Sequence, residues 1–126
     1  SASINNKEVM KVNYVVNKAH GPFTPPLYPH TLLRRLEISK LFGFNFLFTL
    51  SMVSSLELLE ILTVKDCETL EHIVTDKEDD VNSIFPNLRE VKVFSCSDLK
   101  YLAPRQLLFP ELRTIEVSNC TSMEYL

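Results

Sequence analysis

Residues 59–73 read Leu59-Glu60-Ile61-Leu62-Thr63-Val64-Lys65-Asp66-Cys67-Glu68-Thr69-Leu70-Glu71-His72-Ile73, a stretch with the spacing LxxLxLxxCxxLxxL. Two of its apolar residues, Leu62 and Val64, are two apart, which places both on one face of an extended strand. Cysteine is a small apolar residue with a weak donor, and it suits the narrow corner where the chain leaves the strand. The final LxxL is expected to close the core from the opposite side. The stretch therefore predicts a strand, a turn and a returning segment around a shared interior.

The same spacing occurs twice more, and an earlier copy has leucine in place of cysteine. The key residues of the four copies are Leu33, Leu36, Ile38, Leu41, Phe44 and Leu47; Leu59, Leu62, Val64, Cys67, Leu70 and Ile73; Leu88, Val91, Val93, Cys96, Leu99 and Leu102; and Leu112, Ile115, Val117, Cys120, Met123 and Leu126. The copies start 26 residues apart (33 to 59), then 29 (59 to 88), then 24 (88 to 112), which is the period of leucine-rich repeats. One copy cannot bury its own apolar face, so the copies are expected to stack.

These repeats predict an α/β fold, a leucine-rich-repeat solenoid. A short parallel β-sheet is expected on its concave face, with mostly irregular or short helical segments on its convex face. Four repeats are predicted across residues 28–126, at about 28–55, 56–84, 85–108 and 109–126. Residues 1–27 are predicted to form either an irregular cap or a degenerate repeat with Val9, Val12 and Tyr14 at its key positions.

Composition limits the class of partner. The chain has 126 residues, a net charge of −3 and a pI of about 5.6. It lacks the large positive field that attracts nucleic acids and anionic membrane surfaces, so neither is an expected partner. The most apolar stretch, residues 41–50, is shorter than the roughly 20 residues of a membrane helix. Three cysteines without a CxxC pair favour a reducing compartment, and we predict a cytoplasmic protein.

The residues that point away from the predicted core form the candidate site. On each repeat strand they lie before, between and after the paired apolar residues, so that equivalent residues align in three columns. The columns are Arg35, Ile61, Glu90 and Thr114; Glu37, Thr63, Lys92 and Glu116; and Ser39, Lys65, Phe94 and Ser118. Aliphatic and aromatic side chains in a polar setting, here Ile61 and Phe94, are typical of interfaces. We predict that this concave surface binds a protein through every column residue except Ser39.

No residue pattern predicts catalysis, and we expect that the chain is not an enzyme. His72 follows Cys67 by five residues, but the repeat register places Cys67 inward and His72 near the convex surface, with no third group to orient the pair. The shared register of the cysteines predicts buried structural thiols. With no GxxxxGK[ST] loop and only two glycines, no nucleotide or other cofactor is expected. The cysteines and histidines also lack the spacing of metal ligands, so no metal is expected.

Two further clusters have both a functional and a structural interpretation. The acidic run at residues 76–80 lacks the glycine and the terminal glutamate of a calcium loop, and a solvated insertion is favoured. Four phenylalanines, Phe42, Phe44, Phe46 and Phe48, alternate at the period of a strand. They form either an exposed apolar edge or part of the convex core, and the core is favoured.

Residues 47–88 contain Leu47-Phe48, a serine-rich segment, the motif LxxLExLxVxxCxxLExI, an acidic loop and Phe85-Pro86-Asn87-Leu88, in that order. This order resembles the late repeats of coiled-coil, nucleotide-binding, leucine-rich-repeat (NLR) disease-resistance proteins of plants. The resemblance covers about residues 28–126. It implies an innate immune receptor of the plant cytoplasm whose repeats recognise a pathogen effector, or a guarded host protein, and restrain a nucleotide switch. The switch itself is not in this sequence, so other modules of the same receptor are expected partners.

Two other classes of repeat protein share part of the pattern. Substrate-recognition repeats of F-box-type ubiquitin-ligase subunits also have cysteine after the strand, and they are the alternative. They usually continue Cys-x-x-Ile-Thr-Asp, whereas this chain has Cys67-Glu68-Thr69-Leu70. Extracellular receptor ectodomains have asparagine at the corner followed by Gly-x-Ile-Pro, a pattern that does not occur here. The last repeat lacks a polar cap, so self-association through uncapped repeat ends is also expected.

Overall fold

Six strands run through the part of the chain that the computed structural model describes, which is residues 2–6, 8–16, 32–49, 52–53, 55–75, 85–102 and 109–124. They are β1 (Ala2–Asn6), β2 (Val9–Val16), β3 (Arg35–Phe42), β4 (Ile61–Lys65), β5 (Glu90–Phe94) and β6 (Thr114–Ser118). Within these ranges, helical geometry occurs only at residues 32 and 52–53. Each of β3 to β6 begins one residue before its paired apolar residues, as the repeat predicts.

The six strands form one sheet in the order β1-β2-β3-β4-β5-β6. β1 is antiparallel to β2, whereas every later neighbouring pair is parallel. The register aligns equivalent repeat positions, so that Leu36, Leu62, Val91 and Ile115 lie side by side. Parallel strands need a crossover between them, and the returning half of each repeat provides it. The predicted repeat solenoid with a parallel sheet is therefore confirmed.

Apolar side chains from the strands and the returning segments meet on one side of the sheet. Buried and half-buried residues alternate along β4 and β5, as the two-residue period of a strand requires. Leu62 and Val64 on β4 are at most 1% exposed, and Leu70 on the returning segment is equally buried. A fully buried aliphatic side chain contributes about 1.5–3 kcal/mol. Because each repeat covers its neighbour, this burial depends on stacking.

The returning segments are also joined by hydrogen bonds between repeats. The N–H of Leu47 donates to the carbonyl of Ile73, at 3.0 Å, and the N–H of Ile73 donates to that of Leu102, at 3.2 Å. Phe85 lies between two other rings, with ring centroids 6.4 Å from Phe48 and 6.0 Å from Phe109. The convex side is thus a packed layer of largely irregular backbone.

The alternating phenylalanines divide between the core and the surface of this layer. Phe44 and Phe48 are buried, which confirms the predicted convex core for these two residues. Phe42 and Phe46 are only half-buried. The two-residue period holds only in extended chain, and it ends here because the chain leaves β3 after Phe42 and turns at Gly43, where φ is 86°, so the four rings do not share one face. The prediction that all four belong to the core is therefore wrong for Phe42 and Phe46.

Each repeat has a residue with left-handed backbone geometry directly after its strand or, in β3, two residues before the strand ends. The φ angles are 57° at Lys40, 53° at Asp66, 57° at Ser95 and 55° at Asn119. Each of these residues directly precedes the cysteine or leucine of the corner. The left-handed region costs a residue with a Cβ atom roughly 1–2 kcal/mol, and asparagine and aspartate tolerate it best. At the corner after β5, the N–H of Ser95 donates to the carbonyl of Ser118, at 2.9 Å, so the left-handed residue keeps a backbone hydrogen bond to the next repeat.

Substitutions at Ser95 are expected to move stability in opposite directions. Ser95→Gly removes the Cβ clash and should stabilise the fold by about 0.5–1 kcal/mol, after allowance for the extra freedom of glycine in the unfolded chain. Ser95→Val places a β-branched residue in the same geometry and should destabilise the fold by about 1–3 kcal/mol. Urea denaturation followed by circular dichroism measures both changes. A shift of the same sign in both variants would contradict a strained corner.

β2 extends the parallel sheet on the side of β3 that faces away from β4. Met10 pairs with Leu36 and Val12 with Ile38, and both Met10 and Val12 are 1% exposed. The degenerate repeat was expected to place Val12 and Tyr14 as the inward pair, after Val9. The inward pair is instead Met10 and Val12, two residues earlier. The domain boundaries stay a prediction.

Several sequence features lie outside the described residues. They are residues 17–31, the acidic run at 76–80 and Leu126, together with the side chains of residues 14–16. No helix among the described residues combines the length and the hydropathy needed to cross a bilayer.

Candidate protein-binding face

The predicted outward residues lie in register on the face of the sheet opposite the core. The pairing of β3 to β6 brings together Arg35, Ile61, Glu90 and Thr114; Glu37, Thr63, Lys92 and Glu116; and Ser39, Lys65, Phe94 and Ser118. β2 adds Val9, Lys11 and Asn13 to the same three columns. We call this surface the outer face. The predicted columns exist as geometry, while their contact with a partner stays a prediction.

The exposure of the outer face differs along the sheet. Ile61 and Phe94, which were expected to be exposed, are half-buried. Long side chains of neighbouring strands cover part of them, because adjacent strands are only about 4.8 Å apart. Thr114, Glu116 and Ser118 on β6 are exposed, since within the described chain β6 has a neighbour on one side only.

Ion pairs link the charged residues of the outer face. The carboxylate of Glu37 lies 3.1 Å from Nζ of Lys65 and 3.9 Å from Nζ of Lys11. Nζ of Lys92 lies 3.7 Å from the carboxylate of Glu90. All of these side chains are partly solvated, so each pair contributes little to stability. The opposite charges of each pair cancel, so the main effect of these pairs is to lower the net charge of the outer face.

A second charged column lies directly before the outer face and was not predicted. Its members are Glu8, Arg34, Glu60, Arg89 and Arg113. Nη1 of Arg34 lies 2.7 Å from one carboxylate oxygen of Glu60, and Nη2 of Arg89 lies 2.9 Å from the other. The hydrogen bond from Arg34 and the charge of Arg89 lower the pKa of Glu60 below its ordinary value of 4.5. We call this set the rim column. Its charge alternates from Glu8 through Arg34 and Glu60 to Arg89, and that alternation at one repeat position was the sequence signal that could have revealed it.

Glu60→Gln is expected to lower the urea midpoint at neutral pH, and this loss should shrink as the pH falls below about 4.5. The folded-state pKa of Glu60 is lowered, so its stabilising contribution is complete above about 4.5 and disappears as the pH falls through the folded value. Salt at about 1 M should also reduce the difference, because it screens surface pairs. Glu57→Gln removes an exposed carboxylate outside the rim column and serves as the control. A difference that is independent of pH would count against this role of Glu60.

The corner cysteines occupy one repeat position and donate to the end of the preceding strand. The Sγ atoms of Cys67, Cys96 and Cys120 lie 3.2, 3.5 and 3.4 Å from the carbonyl oxygens two residues earlier. Cys67 and Cys96 are fully buried, which confirms their predicted placement. Cys120 is only half-buried, because no described strand covers β6 on its far side. The hydrogen bond with Cys67, together with burial, raises the pKa of Cys96, and burial raises the pKa of Cys120.

His72 belongs to an aromatic column on the returning segments. Its ring is stacked on that of Phe46, with centroids 6.0 Å apart, and on that of Tyr101, with centroids 5.0 Å apart. The three residues occupy the same repeat position, one before the last apolar residue of the motif. His72 is half-buried in this stack, on the convex side where it was predicted to lie. Aromatic pairs contribute about 0.5–1.5 kcal/mol, so the structure assigns His72 a packing role.

The parallel sheet, the returning segments and the in-register outer face define a leucine-rich-repeat protein. Such solenoids present an extended surface of variable residues on a repeated core. The chain belongs to the family described as plant disease resistance protein RPS2-like, leucine-rich repeats, which matches residues 4–126. No curated protein and no solved structure matched the chain. The resemblance to plant disease-resistance repeats is therefore confirmed, and the chain is a protein-interaction repeat module of that family.

Proposed function

We propose that this chain is the protein-binding repeat region of an innate immune receptor of plants. Its outer face recognises a pathogen effector or a host protein that the receptor guards. Its contacts with other modules of the receptor restrain a nucleotide switch. The observation that carries the proposal is the in-register outer face, on which dissimilar side chains are displayed by a repeated core. The family supplies the immune context.

The chemistry of the outer face supports binding rather than catalysis. Ile61 and Phe94 are half-buried among charged neighbours, an arrangement typical of interface anchors. We also propose a cytoplasmic location, where the three free cysteines would stay reduced.

Affinity capture from plant extract, with partners identified by mass spectrometry, tests recognition. The full chain should retain a nucleotide-binding receptor module, or a co-expressed effector, and Ile61→Glu should abolish that capture. Thr121→Glu adds the same charge beyond β6, away from the outer face, and should not. Capture of ubiquitin-ligase adaptors instead would favour the F-box alternative. If no captured protein depends on the outer face, recognition by this face is wrong.

Restraint of the switch needs a separate measurement. The chain is added to the purified nucleotide-binding module of its receptor, and the rate of nucleotide exchange is followed with a fluorescent analogue. Binding to the resting state should slow exchange, because a ligand shifts an equilibrium toward the state that it prefers. An unchanged rate at saturating chain would contradict restraint.

Self-association is proposed through the side of β6 that no strand of the described residues covers. Ile115 is 38% exposed, whereas its equivalent on β5, Val91, is 4% exposed. An apolar edge strand with free backbone groups is a template for pairing with another chain. Light scattering after size exclusion should give a mass above 14.5 kDa that rises with concentration. Ile115→Lys should restore the monomer, and a clean monomer of the parent chain at high concentration would count against the proposal.

A further inference from the structure

A groove of about 390 Å³ crosses the outer face from β2 to β5. Its charged residues are Lys11, Arg35, Glu37 and Lys92, so three cations and one anion line it. The chain as a whole carries a net charge of −3. The groove is therefore a locally positive site on an acidic protein, and it favours an anionic ligand.

Arg35 provides the charge that the groove itself does not neutralise. Glu37 is paired with Lys11 and Lys65, and Lys92 is paired with Glu90. Within the described ranges, Arg35 forms no ion pair, and it is exposed. A guanidinium binds a carboxylate through two parallel hydrogen bonds, which gives the contact direction as well as charge. Arg35 is therefore suited to hold an acidic side chain of a ligand.

The neighbours of Arg35 add an aliphatic surface. Arg35 pairs with Val9 on β2 and with Ile61 on β4, so its column has an aliphatic residue on each side. Thr63 lines the same groove and can donate or accept a hydrogen bond. Pockets for small molecules are mostly apolar and enclose their ligand. A groove with four charged residues on a sheet surface fits a polypeptide segment better.

We infer that this groove binds an acidic segment of a partner protein, with a carboxylate on Arg35 and a neighbouring aliphatic side chain on Ile61. The inference rests on the proposed function, because it names the chemistry of a partner at the same outer face. The positive charge of the groove favours an acidic residue in the partner segment. The half-buried Ile61 favours an aliphatic residue beside it in that segment.

Fluorescence anisotropy with the full chain tests this chemistry directly. The probe is a labelled peptide of sequence Glu-Leu-Glu-Leu-Glu with blocked ends, and Gln-Leu-Gln-Leu-Gln is its neutral match. The acidic peptide should bind at least about tenfold more tightly than the neutral one, and added salt should weaken it. Arg35→Glu should weaken binding by at least about tenfold, since it replaces attraction with repulsion. Ile61→Ala should weaken it about threefold through lost apolar contact.

Lys100→Glu is the matched control, because it makes the same change of sign at an exposed residue on a returning segment. Its affinity should stay within about twofold of the parent chain. Equal affinity for the two peptides, or unchanged affinity in Arg35→Glu, would overturn the inference. Displacement of the peptide by millimolar inorganic phosphate would also overturn it, because it would reveal a general anion site.

The two proposals fail in different ways. If the acidic peptide does not bind but Ile61→Glu still abolishes capture of a receptor module or effector, only the chemistry inferred for the groove is wrong. If the peptide binds but no plant protein depends on the outer face, recognition as proposed is wrong and the groove chemistry stands.

Discussion

Leu62→Ala is expected to lower the free energy of unfolding by about 2–5 kcal/mol. Leu62 is 1% exposed on β4, and its register neighbours are Leu36 and Val91. Alanine would leave a cavity between two strands whose spacing is held by backbone hydrogen bonds, so the site cannot collapse to fill it. Domains of this size have a total stability of about 5–15 kcal/mol, and the loss is a large part of that. Urea denaturation followed by circular dichroism measures the effect.

Ile61→Ala is the matched control for Leu62→Ala, one residue earlier on the same strand. Ile61 belongs to the outer face and is half-buried, so its truncation should cost less than about 1.5 kcal/mol. The comparison isolates the direction in which a side chain points, because the two residues have the same number of carbon atoms. Equal losses in the two variants would contradict the two-residue period of β4.

Phe85→Ala is expected to have an effect of similar size on the convex side, about 3–5 kcal/mol. Phe85 is 1% exposed, and its ring lies between those of Phe48 and Phe109. Removing it takes away the middle of an aromatic column that connects three repeats. The same denaturation experiment measures the loss, and a broader transition would show that the repeats no longer unfold together.

Two variants keep the Phe85 prediction specific. Phe85→Leu retains most of the apolar volume and should cost less than about 1.5 kcal/mol. Phe109→Ala removes the half-buried end of the column and should cost less than Phe85→Ala. A loss in Phe109→Ala that equals the loss in Phe85→Ala would show that position in the column does not matter.

Much of the candidate site could be predicted because it follows from one local rule. Leu36 and Ile38 had to face the core, so Arg35, Glu37 and Ser39 had to face outward. The constant LxL spacing then aligned each outward residue with its equivalents in the other repeats. The same rule was misapplied near the N-terminus, where both Val9 and Met10 are apolar and the pattern allows more than one frame.

Features that depend on contacts between repeats were missed. The stack of Phe46, His72 and Tyr101 brings together residues 26 and 29 positions apart. Because histidine is not apolar, the repeat pattern of apolar residues did not reveal this column. Cys120 has the same motif position as Cys96 but is half-buried, because burial there comes from the strand beyond it. The antiparallel pairing of β1 also had no counterpart in the repeat pattern.

The sequence by itself determined which side chains point inward and which form the outer columns, because an extended chain alternates its side chains whatever surrounds it. The tertiary structure decided which charges meet. It places Glu60 between Arg34 and Arg89, and it leaves Arg35 without an ion pair in the described part of the chain. Both outcomes depend on how the side chains of adjacent repeats meet once their strands pair, and a pattern within one repeat does not specify those contacts.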